Sequence, residues 1–134
     1  MNHVAGYALC LDMTAMDFQR KAKKAGQPWS VAKGFDTACP VGPFISKENI
    51  KDTSDIRLWL KVDGSTKQDS STSDMIFTVP HVLSYLSQYF TLERGDLVLT
   101  GSPAGAGPVS RGQVIEAGLE VNGKTLDTYK CKVA

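Results

Sequence analysis

Three short polar segments, each at the end of an apolar stretch, carry the residue types that a small-molecule site needs. Asp12 closes the apolar run Val4–Leu11, Lys33 lies in Ala-Lys-Gly-Phe-Asp, and Thr-Gly-Ser-Pro occupies residues 100–103. Asp12 is either a carboxylate that needs a charged partner or a structural group near a helix N-terminus. Lys33 is either a surface ammonium with a buried stem or a cation that stabilises developing negative charge. Segment 100–103 lacks the Gly-Lys-Ser/Thr ending of a Walker A loop and, taken alone, is an ordinary turn-rich loop.

The first part of the chain predicts a strand followed by a helix. Val4–Leu11 is almost continuously apolar, which is typical of a strand buried on both faces. Thr14 and Asp17 have the spacing of a capping box, with a hydroxyl at the N-cap and a carboxylate three residues later. Gly26 and the proline two residues after it form a helix stop signal, so we expect a helix from Thr14 to about Ala25.

The remainder of the chain predicts a sheet with two hairpin turns, and one further helix. Residues 56–62 alternate between apolar and polar side chains, and both Asp63-Gly64 and Asn122-Gly123 are typical hairpin turns. The polar, serine-rich segment Lys67–Ser73 is expected to be an exposed loop. The other predicted elements are a helix opened by Thr78-Val79-Pro80 with Val82, Leu83, Leu86 and Phe90 on one face, a short strand at Leu97–Leu99, and strands at Val114–Val121 and Thr125–Val133. This order of elements predicts one α+β domain, residues 1–134, with a mixed or antiparallel sheet.

Composition argues against several classes of function. The net charge is +1 and no stripe of Lys and Arg with interleaved aromatic residues is present, so we expect no nucleic-acid partner. No apolar run approaches the length of about 20 residues that spans a bilayer, so we expect no membrane partner. Cys10, Cys39 and Cys131 have no C-x-x-C spacing, which argues against a disulfide framework or a zinc site. We interpret each of the three as a small buried apolar residue.

Five motifs, in the same order along the chain, resemble the fumarylacetoacetate hydrolase family, in particular its acylpyruvase/oxaloacetate decarboxylase-type members. The first is Gly-Tyr-Ala, Asp-Met-Thr-Ala and a further Asp within 6–17. The others are Lys-Gly-Phe-Asp at 33–36, Cys-Pro-Val-Gly-Pro at 39–43, Ser-Asp-Met-Ile-Phe at 73–77 and Leu-Thr-Gly-Ser-Pro at 99–103. The resemblance implies the mixed β-sandwich roll of the family's C-terminal domain, here N-terminally truncated. It also implies a homodimer and a small 2-oxo acid as substrate.

The same resemblance assigns roles to individual residues. Asp12 corresponds to a ligand of the family's divalent metal, and hard oxygen ligands of this kind suit Mg²⁺ or Mn²⁺. Lys33 corresponds to the active-site lysine that neutralises charge on an enolate or oxyanion. Hydroxyl and backbone N–H groups of the 100–103 loop can bind a substrate carboxylate. The implied substrate-binding residues are Gln19, Thr100, Gly101 and Ser102.

Two departures from the family pattern bear on activity. Met16 stands where the family usually has an arginine that holds the substrate carboxylate. A hydrogen bond to a charged group contributes about 1.5–3 kcal/mol, so its loss weakens recognition. The chain also contains no Glu-x-Glu, the segment that supplies the family's other two metal ligands. Neither His3 nor His81 matches the family's water-activating histidine.

The sequence leaves two hypotheses of function. In the first, the full-length form is a Mg-dependent hydrolase or lyase that cleaves C–C bonds of 2-oxo acids, by acylpyruvate hydrolysis or oxaloacetate decarboxylation. In the second, the chain is a catalytically inactive short form that acts as a non-enzymatic dimerisation module. We expect a mitochondrial or cytoplasmic location, with any targeting segment upstream of Met1.

Overall fold

The chain folds as an α+β structure with two antiparallel sheets, which confirms the predicted fold class. The computed structural model describes residues 1–134. No helix combines the length and the apolar character needed to cross a membrane. The elements are β1 (Gly6–Tyr7), α1 (Met16–Ala25), α2 (Ser30–Lys33), β2 (Ile45–Ser46), β3 (Ile56–Val62), β4 (Ser65–Ser71), α3 (Val79–Leu86), β5 (Val114–Val121) and β6 (Lys124–Lys132).

The four-stranded sheet has the order β4-β3-β5-β6, with every neighbouring pair antiparallel. Alternation along β3 buries Ile56 and Val62 and leaves Arg57 exposed. The turns Asp63-Gly64 and Asn122-Gly123 join the two outer hairpins, and all four residues have positive φ, as a type I′ turn requires. Both predicted hairpins are therefore confirmed.

Strand β4 occupies the segment in which the sequence predicted an exposed loop, so the loop prediction for Lys67–Ser73 is wrong. Its backbone pairs with β3 from Val62↔Ser65 to Arg57↔Ser71. β4 is an edge strand, and its polar side chains are compatible with that position because only one of its edges is paired. The stabilising partner is β3, which a pattern confined to the segment itself does not reveal.

Strand β1 contains only Gly6–Tyr7, so the strand predicted over Val4–Leu11 is wrong in length and in burial. Of that apolar run only Leu9 and Leu11 are buried, at 8 % and 6 % exposure. The partner segment contains Pro40, which has no N–H to return to the ladder, and regular pairing is interrupted there.

The core lies between the four-stranded sheet and the segments around β1 and β2. Ile50 is only 2 % exposed, and Leu11 anchors the chain immediately before Asp12. Anchoring of Leu11 in the core therefore fixes the backbone that carries the Asp12 carboxylate. The buried members of this cluster are Leu9, Leu11, Ile45, Ile50, Ile56, Ile115, Ala117 and Leu119.

Helix α1 ends where the sequence predicts but begins differently. Gly26 adopts the left-handed conformation, with φ +64°, and its N–H caps the helix. The N-cap is Ala15, and no side chain caps it, so the capping box of Thr14 and Asp17 is wrong. The Thr14 hydroxyl instead accepts a hydrogen bond from Lys33.

Of the remaining predictions, some are confirmed and others are wrong. The hydroxyl of Thr78 accepts a hydrogen bond from the His81 N–H at 3.4 Å and opens α3, as predicted. Phe90 lies beyond the end of α3. The strand predicted at Leu97–Leu99 is wrong, because this apolar segment has no strand partner in the chain. The single helical turn Ser30–Lys33 had no predictive signal in the sequence.

Candidate active site

A salt bridge between Lys33 and Asp12 joins two segments that are distant along the chain. Asp12 follows Leu11, whose backbone N–H donates to Pro40 O at 3.0 Å. Lys33 is the last residue of α2. Its Nζ donates to Asp12 Oδ1 at 2.8 Å and to Oδ2 at 2.9 Å. The structure thus brings together the two charged residues that the sequence singled out.

Thr14 completes the surroundings of the ammonium. Lys33 Nζ donates to Thr14 Oγ1 at 2.7 Å. The Ala15 N–H donates to Ala32 O at 3.0 Å, which ties the start of α1 to α2 beside the pair. A lysine ammonium has three N–H donors, and three side-chain oxygens accept from this one. Sequence reasoning missed Thr14 as a site residue. Its position two residues after Asp12 could have indicated this role, because alternate side chains of an extended segment point the same way.

The Lys33–Asp12 pair contributes little to holding the fold together. The two side chains are 34 % and 42 % exposed. Ion pairs with this access to water contribute about 0–1 kcal/mol to stability. The arrangement instead fixes the position of the Lys33 ammonium. Its three N–H donors are taken by oxygens of this chain, so an anionic oxygen would have to replace one of these acceptors to receive a hydrogen bond from it.

The residues of this chain do not by themselves fit a divalent metal. No group of three or more His, Cys, Asp or Glu side chains is arranged to hold an ion. The carboxylate of Asp12 has the hard oxygen donors that Mg²⁺ and Mn²⁺ prefer, but both oxygens accept hydrogen bonds from Lys33. A metal bound here therefore needs ligands from outside the chain, and the role of Asp12 as a metal ligand stays a prediction.

The structure does not link the predicted substrate-binding residues to the Lys33–Asp12 pair by any hydrogen bond. Gln19 lies half-buried on α1, and its backbone N–H donates to Ala15 O at 3.0 Å. Thr100, Gly101 and Ser102 are exposed. Their loop contacts β4 at its next residue, Pro103, whose carbonyl oxygen accepts from Gln68 Nε2 at 2.6 Å. Their predicted role in substrate binding remains to be tested.

An apolar groove of about 410 Å³ lies between the end of α3 and the segment 90–99. None of the predicted site residues lines it. Its apolar lining is formed by Leu86, Phe90, Leu92, Leu97, Val98 and Leu99.

The cysteines are less buried than the sequence predicted. Cys39 is exposed, whereas Cys10 and Cys131 are partly buried. The interpretation of all three as buried apolar residues is therefore wrong, most clearly for Cys39. Burial raises the pKa of the Cys10 thiol, and the neighbouring Cys39 thiol raises it further.

The sequence model of one protein family, described as fumarylacetoacetate (FAA) hydrolase C-terminal, matches residues 1–133. The chain belongs to the fumarylacetoacetate hydrolase family. The resemblance of the five sequence motifs to this family is thereby confirmed.

Two curated relatives in the family are similar over most of this chain. The mitochondrial oxaloacetate tautomerase FAHD1 of Mus musculus is 54 % identical over 120 residues, which are 90 % of this chain and 54 % of the relative. The mitochondrial oxaloacetate decarboxylase of Dictyostelium discoideum is 53 % identical over 119 residues, 89 % of this chain and 55 % of the relative. The chain therefore spans about half the length of the curated relatives it matches. The mitochondrial names agree with the expected mitochondrial or cytoplasmic location.

Solved structures of the fumarylacetoacetate hydrolase family share the fold. The yeast family protein ynq8 superposes with a TM-score of 0.95 at 34 % identity, covering 98 % of this chain and 56 % of that one. The fumarylpyruvate hydrolase of Pseudomonas aeruginosa, in complex with Mn²⁺ and pyruvate, superposes with a TM-score of 0.91 at 37 % identity, covering 98 % and 55 %. The expected architecture of the family's C-terminal domain is confirmed.

Proposed function

We propose that this chain forms part of an enzyme that acts on 2-oxo acids, oxaloacetate among them. The observation that carries the proposal is the Lys33 ammonium, which is held by three side-chain oxygens at 2.7–2.9 Å on a side chain that is 34 % exposed. Its proposed role is to stabilise negative charge that develops on the 2-oxo oxygen of the substrate.

The chemistry named for the relatives supports one shared role for Lys33. Relatives are named as an oxaloacetate tautomerase, an oxaloacetate decarboxylase and a fumarylpyruvate hydrolase. Tautomerisation, decarboxylation next to a ketone and hydrolytic release of pyruvate all place negative charge on the oxygen of a 2-oxo acid as its enol or enolate forms. A cation fixed near that oxygen assists each reaction, so the proposal does not depend on which of them dominates.

The other roles in this proposal rest on the family resemblance. Asp12 is proposed as a ligand of Mg²⁺ or Mn²⁺, which would supply Lewis-acid stabilisation of the 2-oxo carboxylate when bound. Asp12 also holds Lys33 in place, an effect that the structure supports directly. The residues proposed to orient the substrate are Gln19, Thr100, Gly101 and Ser102. We also propose a homodimer, a single domain over residues 1–134, and no nucleic-acid or membrane partner.

A chimaera tests the enzymatic proposal. The part of the Mus musculus relative that precedes the matched region is fused to Met1. Two reactions of oxaloacetate, its conversion to the enol and its decarboxylation, are then measured with Mn²⁺ present. We expect turnover by the chimaera, negligible turnover by the 134-residue chain alone, and loss of turnover in the chimaera with Asp12→Ala. Matched turnover by the chimaera and its Asp12→Ala variant would remove Asp12 from the mechanism, and a well-folded chimaera without activity would contradict the enzymatic proposal.

A second candidate function is that of a non-enzymatic dimerisation module, which needs a large exposed surface for its partner. A globular monomer of 14.5 kDa exposes about 6,900 Å², whereas this chain exposes 9555 Å². The excess, about 2,700 Å², is surface that a partner subunit or the rest of a longer chain can cover. Ile76 and Val31 illustrate it, since they are 91 % and 67 % exposed.

Sedimentation of the 134-residue chain tests this second function. A module of this kind is expected to self-associate or to bind the full-length relative, and Ile76→Asp is expected to weaken the association. Ser84→Asp, on the exposed face of α3, is the matched control. A chain that stays monomeric and ignores the relative would exclude the module function.

A further inference from the structure

Two cysteines lie on the paired backbone segments that carry Asp12. Residues 9–13 and 38–42 run antiparallel and are joined by three backbone hydrogen bonds of 2.8–3.0 Å. Cys10 forms an isolated bridge opposite Val41, which fixes the register of the pair. This register also determines which two residues lie opposite each other two positions further along the segments, and it does so from the backbone alone.

In this register Asp12 lies opposite Cys39. Both positions are of the non-hydrogen-bonded type, in which the Cα atoms of opposite residues are about 4.5 Å apart and their side chains share one face. Cys10 lies two residues before Asp12 on that face and is the diagonal neighbour of Cys39.

We propose that Cys10 and Cys39 form a reversible disulfide, a modification site beside the Asp12 carboxylate. Diagonal Cα atoms lie about 7–8 Å apart, and disulfides span up to about 6.8 Å, so closure needs a backbone shift on the order of 1 Å. Cys39 is exposed and open to a reagent, whereas Cys10 is partly buried. Cys131 lies on β6 opposite Ile115 and is outside this pair of segments.

The oxidant in this proposal is a small-molecule disulfide. The Cys39 thiol releases its proton to solvent, and the thiolate attacks one sulfur of the reagent, whose S–S bond breaks as one thiolate leaves and takes up a proton. The Cys10 thiol then loses its proton, and its thiolate attacks the Cys39 sulfur of the mixed disulfide. The second small thiolate leaves and takes up a proton. Two protein thiols are oxidised by two electrons, and one reagent disulfide is reduced to two thiols. A dithiol reductant reverses the sequence.

Peptide mapping of the whole chain tests the proposal. The chain is treated with oxidised glutathione, alkylated and digested with trypsin, which separates the three cysteines into peptides 1–20, 34–47 and 131–132. The three possible cross-links are then quantified by mass spectrometry, in native buffer and in urea. Cys131→Ser is the matched control, and Cys39→Ser removes the proposed bridge.

In an unfolded chain the Cys10–Cys39 link closes the shortest of the three possible loops. Loop entropy alone therefore favours it by about six- to ninefold over the other two links. In the folded chain the two paired segments hold Cys10 and Cys39 close together, which raises the effective concentration of one thiol near the other. The preference for the Cys10–Cys39 link is therefore expected to rise by a further tenfold or more. The bridge is also expected to raise the Tm of the parent chain and of Cys131→Ser, and to leave Cys39→Ser unchanged. Equal preference in native buffer and in urea, or a native chain that keeps both thiols free, would overturn the proposal.

Discussion

The two regions that carry the predicted site residues are held in very different ways. Around Lys33, backbone hydrogen bonds connect the residues beside Asp12 and α1 to neighbouring segments, and three side-chain hydrogen bonds fix the ammonium. In the loop 100–107, residues Thr100, Gly101 and Ser102 are exposed, and a hydrogen bond from Gln68 to the Pro103 carbonyl anchors the loop to β4. The Lys33–Asp12 part of the candidate site is thus organised by the chain itself, whereas the loop 100–107 is organised where it meets β4.

This difference predicts where substitutions act. A change on the Lys33 side is expected to alter chemistry with little effect on stability, because the pair is exposed. A change at the anchor of the loop is expected to alter stability and the position of the loop. The predictions below test that division, in order of decreasing effect.

The largest effect is expected for Lys33→Ala in the chimaera described above. Removal of a donor that stabilises a developing oxyanion lowers kcat by about 10²–10³, and KM is expected to change much less because the interaction forms mainly in the transition state. Steady-state kinetics with oxaloacetate measures both constants. Lys24→Ala, at an exposed position of α1, is the matched control. A variant within twofold of its parent would show that Lys33 is an ordinary surface lysine.

Gly105→Ala tests the loop side of the comparison. Gly105 has φ +98°, and a Cβ there would meet the backbone oxygen of Lys67 at a distance far inside van der Waals contact. Left-handed strain and the clash with β4 are expected to cost about 1–3 kcal/mol, measured by urea unfolding, and to raise hydrogen exchange in residues 100–107. Gly107→Ala is the control, because the nearest atom to its Cβ would be 3.9 Å away. Equal stability of the two variants would mean that β4 does not position the loop.

The sequence predicts those parts of the fold and the candidate site that depend on neighbouring residues, and it misses those that depend on contacts between distant segments. The alternation of residues 56–62 and the Asn122-Gly123 turn are local signals, and both gave the right elements. β4 was missed because a polar edge strand is stabilised by β3 and not by its own pattern. The two charged site residues were found by their family motifs, but their contact depends on the placement of Ser30–Lys33, a helical turn too short to leave a periodic signal.

Thr14 shows the same limit at a single side chain. Its spacing to Asp17 predicted a helix cap, which is a local contact, whereas the structure uses the hydroxyl for a tertiary contact with Lys33. Sequence spacing cannot rank these two uses, since either of them gives the hydroxyl a hydrogen-bond partner. The hydrogen bond to a charged donor is the stronger of the two, at about 1.5–3 kcal/mol.

Thr14→Val is expected to lower kcat of the chimaera by about tenfold, because a nearly isosteric side chain removes one of the three oxygens that orient Lys33. The effect is smaller than that of Lys33→Ala, since Asp12 still holds the ammonium. Thr14→Ser keeps the hydroxyl and is expected to restore most of the rate. If Thr14→Val and Thr14→Ser lose the same activity, packing of the threonine methyl group is responsible and not the hydroxyl.

The smallest effect is expected at the turn between β3 and β4. Asp63 Oδ1 accepts from the Val114 N–H and Oδ2 from Gln113 Nε2, both at 2.8 Å, and these bonds lower the pKa of the carboxyl below its usual 3.8. Because the pKa is lower in the folded state than in the unfolded state, the carboxylate stabilises the fold above pH 3.8. That contribution is lost as the pH falls through the folded-state pKa.

Asp63→Asn preserves the positive φ of the turn, since asparagine tolerates φ +48°, and removes the charge. At neutral pH its Tm is expected to be slightly lower than that of the parent, and the gap is expected to close as both proteins are acidified below pH 3.8. Thermal unfolding followed by circular dichroism at several pH values measures the gap, with Asp96→Asn as a control carboxylate in another turn. If the difference in Tm stays constant with pH, the shape of the side chain and not its charge stabilises the turn. If the parent becomes less stable than Asp63→Asn as the pH is raised from 3.8 to 7, the direction of the pKa shift is contradicted.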